Sequence, residues 1–223
     1  MRTRSRVSPI ELATAVSTCV REGMCTLVVD DEVEMSEIAE VLKVPSADHR
    51  VLAAREREDA RAGTLSGRYG MGAFPWHTDG AHHAQPPRLS LMRRRGPTGT
   101  PTLLLDAHSL LAVAPGLAEQ LRRQTWLVDA GASPFYASIV GRAGRVRFNR
   151  HLMTPTSARA GEAELAFQAL IEGADPVEHA WEANELLLLD NTRVVHARPP
   201  IGENDANREL ERLLCALPSR LGP

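Results

Sequence analysis

His77 and Asp79, in the segment Phe74-Pro-Trp-His-Thr-Asp-Gly80, are the residues whose types and spacing most directly suggest chemistry. In an extended strand residues two apart project to the same side, so one strand would present an imidazole and a carboxylate together while Thr78 faces away. A distant histidine, His196 in Leu186-Leu-Leu-Leu-Asp-Asn-Thr-Arg-Val-Val-His196, can complete the set. Two histidines and one carboxylate on one face of a metal leave its other positions open, an arrangement suited to non-heme Fe(II). A His-x-Asp pair alone is common by chance, so its surroundings must carry the weight.

Those surroundings read as short strands with a few helices. Ser8, Pro9 and Glu11 form a helix start and Gly23 a stop, which predicts a helix over 9–22 carrying Ile10, Leu12, Val16 and Val20. A strand over 24–29 and a helix over 36–43, ended before Pro45, follow. Residues 50–72 are charged, then rich in glycine (Gly63, Gly67, Gly70, Gly72), and read as a loop beside the site that could act as a lid. Strands are expected at 89–92, 102–105, 125–128, 145–148, 186–189, 194–196 and 210–217. Helices are expected at 115–123 and 157–171, the latter burying Leu165, Phe167, Leu170 and Ile171. Trp76, Trp126, Phe135, Tyr136 and Phe148 read as packing residues. The fold class expected is mainly β with flanking helices, a jelly roll that brings distant strands together.

The composition sets limits. A chain of 223 residues with 43% hydrophobic and 24% charged residues suits a single domain. Here that divides into N-terminal support over 1–63 and a core over 64–217. A net charge of −2 gives no general attraction to nucleic acid or anionic membrane, and Arg93-Arg94-Arg95 reads as a solvated strand end or turn. The basic start Met1-Arg-Thr-Arg-Ser-Arg6 lacks an apolar signal core, and no stretch is long and apolar enough to span a bilayer. Cys19, Cys25 and Cys215 form no close pair, which fits a reducing cytoplasm.

Near the C-terminus, Arg208 and Arg212 lie four apart and share a face on either a strand or a helix. Arginine forks suit bidentate carboxylate binding, so the pair could hold the far carboxylate of a 2-oxo acid and an acidic group on a substrate; the alternative is a surface charge pattern with Glu209 and Glu211.

At this point the sequence resembles the TauD/TfdA-like, or clavaminate-synthase-like, Fe(II)/2-oxoglutarate dioxygenases. The resemblance covers roughly residues 64 to 217. His77-Thr-Asp-Gly80 with Pro86-Pro87 is similar to the family's HxD strand. The stretch from Gly96-Pro-Thr-Gly-Thr-Pro-Thr102 to Asp106 is similar to its Gly-Gly-x-Thr turn. Asp190-Asn-Thr-Arg-Val-Val-His-Ala-Arg198 resembles the box around its distal iron ligand, and Arg208-Glu-Leu-Glu-Arg212 its closing segment.

The resemblance implies a double-stranded β-helix core and a site requiring Fe(II), 2-oxoglutarate and O2. His77, Asp79 and His196 are then the iron ligands, Arg208 and Thr102 contact 2-oxoglutarate, and Arg212, His82 and Asn149 belong to the substrate region. The implied activity is oxidation of an unactivated C–H bond of a small polar, amino-acid-derived molecule, by hydroxylation, desaturation or cyclisation, with release of succinate and CO2. Secondary metabolism is the expected setting, and a homodimer is left open. Because Asp79 is present, halogenation is disfavoured: halogenases of the family lack this carboxylate so that chloride can bind. The interval between Asp79 and His196 is short for the family, Ala197 replaces its glycine, and Asn149 stands where many relatives carry an acid. Two alternatives keep the same ligands: a zinc-dependent hydrolase, which would need a glutamate base and has no use for Arg208 and Thr102, and a non-catalytic metal-binding jelly roll. His49, His108, His151 and His179 show no partners suggesting chemistry.

Overall fold

In a computed structural model, residues 8–44, 49–60, 64–95, 99–129 and 133–216 are described. The basic start, Pro45, Gly63, residues 96–98 of the Gly96–Thr102 turn and position 217 lie outside them. The chain opens with helix α1 (Pro9–Glu22), strand β1 (Met24–Val28), helix α2 (Met35–Leu42), strand β2 (His49–Ala53) and helix α3 (Leu65–Tyr69). Strands β3 (Phe74–His77), β4 (Leu89–Arg95) and β5 (Thr102–Asp106) follow, then helices α4 (Ala107–Ala112) and α5 (Pro115–Arg123). Next come β6 (Trp126–Val128), β7 (Phe135–Ala137), β8 (Met153–Pro155), α6 (Ala158–Glu172), β9 (Val177–His179), β10 (Glu185–Asp190), β11 (Val194–Arg198) and β12 (Glu209–Cys215).

Two antiparallel sheets form the core, a double-stranded β-helix. One has the order β1-β10-β4-β12-β2 and the other β3-β11-β5-β9, while β7-β6-β8 makes a smaller third sheet. The segment before residue 64 supplies both edge strands of the first sheet, so it is built into the core as well as supporting it. No helix among the described residues is long and apolar enough to cross a membrane.

Alternation explains the two faces of the five-stranded sheet. Leu89, Leu91, Leu186, Leu188, Leu213 and Cys215 point outward and are covered by Leu12, Val16 and Cys19 of α1 and by Met35, Ile38 and Leu42 of α2. The residues between them point inward, where Met92, Leu187, Leu189 and Leu210 meet Leu104, Trp181 and Val194. Helix α1 forms as its caps dictate: Ser8 Oγ accepts from Glu11 N, and Gly23 closes the end with φ 93°.

Several expectations are corrected. Residues 50–53 are part of strand β2 and 65–69 form a helix, so the stretch read as one loop is interrupted by two regular elements. The strand expected at 145–148 is absent: a 3-10 turn at Arg142–Gly144 with Ala143 at φ 55° interrupts the chain, leaving only an isolated bridge between Val140 and Val146. Arg93 is neither solvated nor in a turn. It continues β4 and forms a buried ion pair with Glu211 (2.5 Å) on the helix-covered face, where Glu211 is itself fully buried and also meets His49. Glu211 is therefore no surface charge. Leu165 and Tyr136 are 65% and 69% exposed, because the apolar side of α6 is Ala160, Ala163, Phe167 and Ile171, and β7 is an edge strand.

Candidate metal centre

His77 is the last residue of β3, and its register partner across the ladder is His196 of β11. This pairing puts the two imidazoles side by side, with ring centroids 4.3 Å apart. Asp79 falls just beyond the strand end, in the turn closed by Gly80 at φ 63°. The expectation of both ligands on one strand is corrected accordingly: the strand orients His77, and the turn delivers Asp79. Ligand atoms of His77, Asp79 and His196 lie within 4.8 Å of one another, and all three side chains are buried.

A tight web holds the turn. Asn191, 1% exposed, accepts from Asp79 N at 2.7 Å and donates from Nδ2 to the carbonyls of Asp79 and Pro87, both at 2.8 Å. Thr78, facing away, is fixed to Phe148 through both main-chain directions: Thr78 N donates to Phe148 O, and Phe148 N donates to Thr78 Oγ1. The expected strand around 148 is thus replaced by side-chain-assisted pairing that serves the site. Arg147 donates to the carbonyls of Ala81, His83 and Ala84, which positions the loop after Asp79.

The donor set fits a divalent cation. His77 Nδ1 lies 2.9 Å from Pro75 O; donating to that carbonyl leaves Nε2 as the ligand atom. His196 Nδ1 is buried with no partner. Ser90 Oγ donates to Asp79 Oδ2 at 2.7 Å, and Arg212 is paired with Asp79 Oδ1. Burial opposes ionisation of Asp79, yet Arg212 and the two histidines, aided by Ser90, hold its carboxyl well below the usual range. Burial lowers His77, and burial together with the neighbouring His77 pushes His196 down to about 3. At neutral pH the three groups therefore present two neutral imidazoles and a carboxylate, the protonation state a metal requires.

A pH dependence follows. The folded pKa of His196, about 3, lies below the ordinary value of 6.5, so the unfolded chain takes up the proton first. The stability this group contributes is complete above about pH 6.5 and is lost as pH falls toward about 3. Chelator-treated protein should show a falling thermal midpoint between pH 8 and 5, and His196→Gln should flatten that slope; identical slopes would count against a neutral, buried His196.

The other expected site residues are distributed as follows. Leu210 and Arg212 share the inward face of β12, and Arg208 is the residue just before that strand. Arg208 is buried, its Nε has no partner, and burial pushes its pKa down to about 10 against the opposing pull of Asp205. Thr102 lies two residues from Leu104, the register partner of His196, and so shares its inward face. Its Oγ1 accepts from Trp181 Nε1 at 3.2 Å. Asn149 is buried, but its Oδ1 accepts from His151 N at 3.0 Å, so it shapes the turn that presents His151. His82 is exposed and stacks on His83 with centroids 4.3 Å apart.

Sequence reasoning missed Ser90, Trp181 and the tie from Asn191 to Asp79, because none carries a spacing signal. His151, His49 and His179, for which the sequence offered no partner suggesting chemistry, meet Tyr69, Glu211 and Glu185.

No family model matches the chain, and no curated protein sequence matches it. Solved structures do. The non-heme iron oxygenase OrfP, in complex with Fe and α-ketoglutaric acid, aligns over 93% of this chain and 78% of its own, with 17% identity and a TM-score of 0.68. Asparagine oxygenase, in complex with Fe(II), 3-hydroxyasparagine and succinate, aligns over 94% and 80%, with 14% identity and a TM-score of 0.66. PvcB from Pseudomonas aeruginosa aligns over 96% and 83%, with 18% identity and a TM-score of 0.68. The chain shares its fold, a double-stranded β-helix with flanking helices, with these non-heme iron oxygenases.

Proposed function

We propose that the chain is an Fe(II)- and 2-oxoglutarate-dependent oxygenase acting on a small polar, amino-acid-derived substrate. The observation that carries this is the buried His77, Asp79 and His196 cluster together with a buried arginine, Arg208, whose Nε has no partner. Two of the structural neighbours are described with an amino-acid product or with α-ketoglutaric acid, which supports the same reading.

Iron bound with 2-oxoglutarate and O2 supplies oxidative decarboxylation, giving succinate and CO2, and oxidation of a nearby C–H bond. The chain's own residues do the positioning. The Pro75 carbonyl orients His77, while Arg212 and Ser90 hold Asp79 as a carboxylate. Arg208 receives the far carboxylate of the oxo acid, the ligand its unpartnered Nε lacks. Because Trp181 fills an acceptor site on Thr102 Oγ1, the hydroxyl hydrogen is left to donate to the same carboxylate. Leu104, Leu187, Leu189 and Leu210 line the interior and exclude water. A zinc hydrolase would leave Arg208 and Thr102 without a task.

The test is anaerobic titration of Fe(II)-loaded protein with 2-oxoglutarate, followed by succinate release in air. Arg208→Ala should weaken 2-oxoglutarate binding by at least about thirtyfold, the loss expected when one partner of a buried charge pair is removed, with Fe(II) affinity unchanged. Unaltered affinity would move the carboxylate to another cation. Absence of both 2-oxoglutarate binding and succinate would sink the oxygenase reading.

A further inference from the structure

Beside His77 the protein carries a second polar group that the metal chemistry does not use. Tyr69, the last residue of α3, has its hydroxyl hydrogen-bonded to His151 Nε2, and the two rings meet edge to face with centroids 5.3 Å apart. Tyr69 also leans on Phe74, centroids 6.2 Å apart, at the start of the strand that ends in His77. Both supports of this pair are fixed. Arg198, two residues beyond His196, donates to the carbonyls of Gly70 and Gly72 and lies 3.6 Å over the Phe74 ring. Ile201 N donates to Met71 O at 2.8 Å. On the other side, Asn149 caps the turn that carries His151.

The charges facing His151 are Arg68 from α3, Arg150 from its own turn and, when protonated, His77. Arg68 and Arg150 are exposed. Glu164 of α6 also faces Arg150, with its Oε2 taking the indole N–H of Trp126 at 2.8 Å. Meanwhile Arg212, the cation nearest the metal ligands, is committed to Asp79, and Arg198 to main-chain carbonyls. Arg68 and Arg150, the exposed cations around His151, are committed in neither way.

We propose that Arg68, Arg150 and the Tyr69–His151 pair recognise an anionic group on the substrate, so that the molecule oxidised is an acidic one, of the kind represented by an acidic amino acid. Tyr69 is a positioning residue: with its hydroxyl donating to Nε2, the neutral His151 ring carries its proton on Nδ1 and offers it as a donor. This inference rests on the oxygenase reading and adds to it the charge of the substrate.

Protein loaded anaerobically with Fe(II) and 2-oxoglutarate is titrated with L-aspartate, L-glutamate, their amides L-asparagine and L-glutamine, and L-arginine. Calorimetry and the visible absorption of the Fe(II)–oxoglutarate complex report binding. Each acid should bind about tenfold tighter than its amide, two exposed cations each adding a few-fold. The double variant Arg68→Gln/Arg150→Gln should bring acid and amide within about twofold of each other, with Fe(II) and 2-oxoglutarate affinities unchanged. Equal affinity for acid and amide, tighter binding of arginine, no binding of either acid, or a preference that survives the double variant overturns the proposal. Failure of the Fe(II) protein to bind 2-oxoglutarate is read out separately and overturns both this inference and the reading beneath it.

Discussion

Asp79→Ala should lower Fe(II) affinity by at least about a hundredfold, more than the loss typical of groups that only orient a ligand. It should destabilise the metal-free protein as well. Asp79 is 3% exposed and carries the only anionic charge paired with Arg212 among the described residues, so its removal strands a guanidinium whose side chain is 18% exposed. Breaking a buried ion pair from one side costs about 3–5 kcal/mol, because the remaining charge keeps its desolvation penalty without its partner; partial exposure of Arg212 places the expected loss toward the lower end. Asp79→Ala/Arg212→Met should therefore recover much of the stability while leaving Fe(II) binding lost. Calorimetric Fe(II) titration and thermal melts of the single and double variants separate the two roles. If the single variant binds Fe(II) normally, Asp79 is no ligand; if the double variant melts as low as the single one, the stranded charge is not the cause.

The second large effect belongs to a residue that touches no metal. Asn191→Leu keeps the branched outline of the side chain, in a bulkier form, but removes the acceptor for Asp79 N and the donors to Asp79 O and Pro87 O, all inside a site 1% exposed at Asn191. Leaving a buried polar group unsatisfied costs about 1–3 kcal/mol each, so a loss of about 3 kcal/mol or more is expected, and the thermal midpoint should drop by about 6–12 °C. Because these bonds set the backbone that presents Asp79, Fe(II) affinity should also fall by about 10–100-fold. Asn191→Asp should not rescue either property: it keeps an acceptor, but it sets a carboxylate against two carbonyl oxygens. A variant with full stability and a normal Fe(II) isotherm would show that the turn is held by other means.

Both predictions show where sequence and structure divide the information. The Asp190-Asn191 dipeptide was legible as part of a motif, but its physical task was not. A side chain that bonds a main-chain group more than a hundred positions earlier leaves no period or local spacing to read. Ser90 and Trp181 were silent for the same reason, as ordinary members of a strand and an apolar cluster. Tyr69 and His151 come together only because Arg198 and Asn149 fix their respective segments. Arg93 and Glu211 misled because charged residues on a strand are read as solvated, and here two helices cover the face they occupy.

What the sequence by itself supplied is a candidate set of groups for the chemistry, and the helices whose caps lie within a few residues of them. His77, Asp79 and His196 stand out because ligand chemistry restricts residue type, the four-residue spacing pairs Arg208 with Arg212, and the resemblance adds Thr102 and the expected roles. Helix α1 was readable end to end because Ser8, Pro9 and Gly23 act locally. Only the tertiary structure decided that His196 stands opposite His77 across a ladder, that Asp79 lies past the strand end on a turn tied to Asn191, and that Arg212 serves Asp79 while Arg208 keeps a buried nitrogen unpartnered. Register, burial and long-range hydrogen bonds arise from packing of the whole chain, and they turn a set of suitable residues into a site.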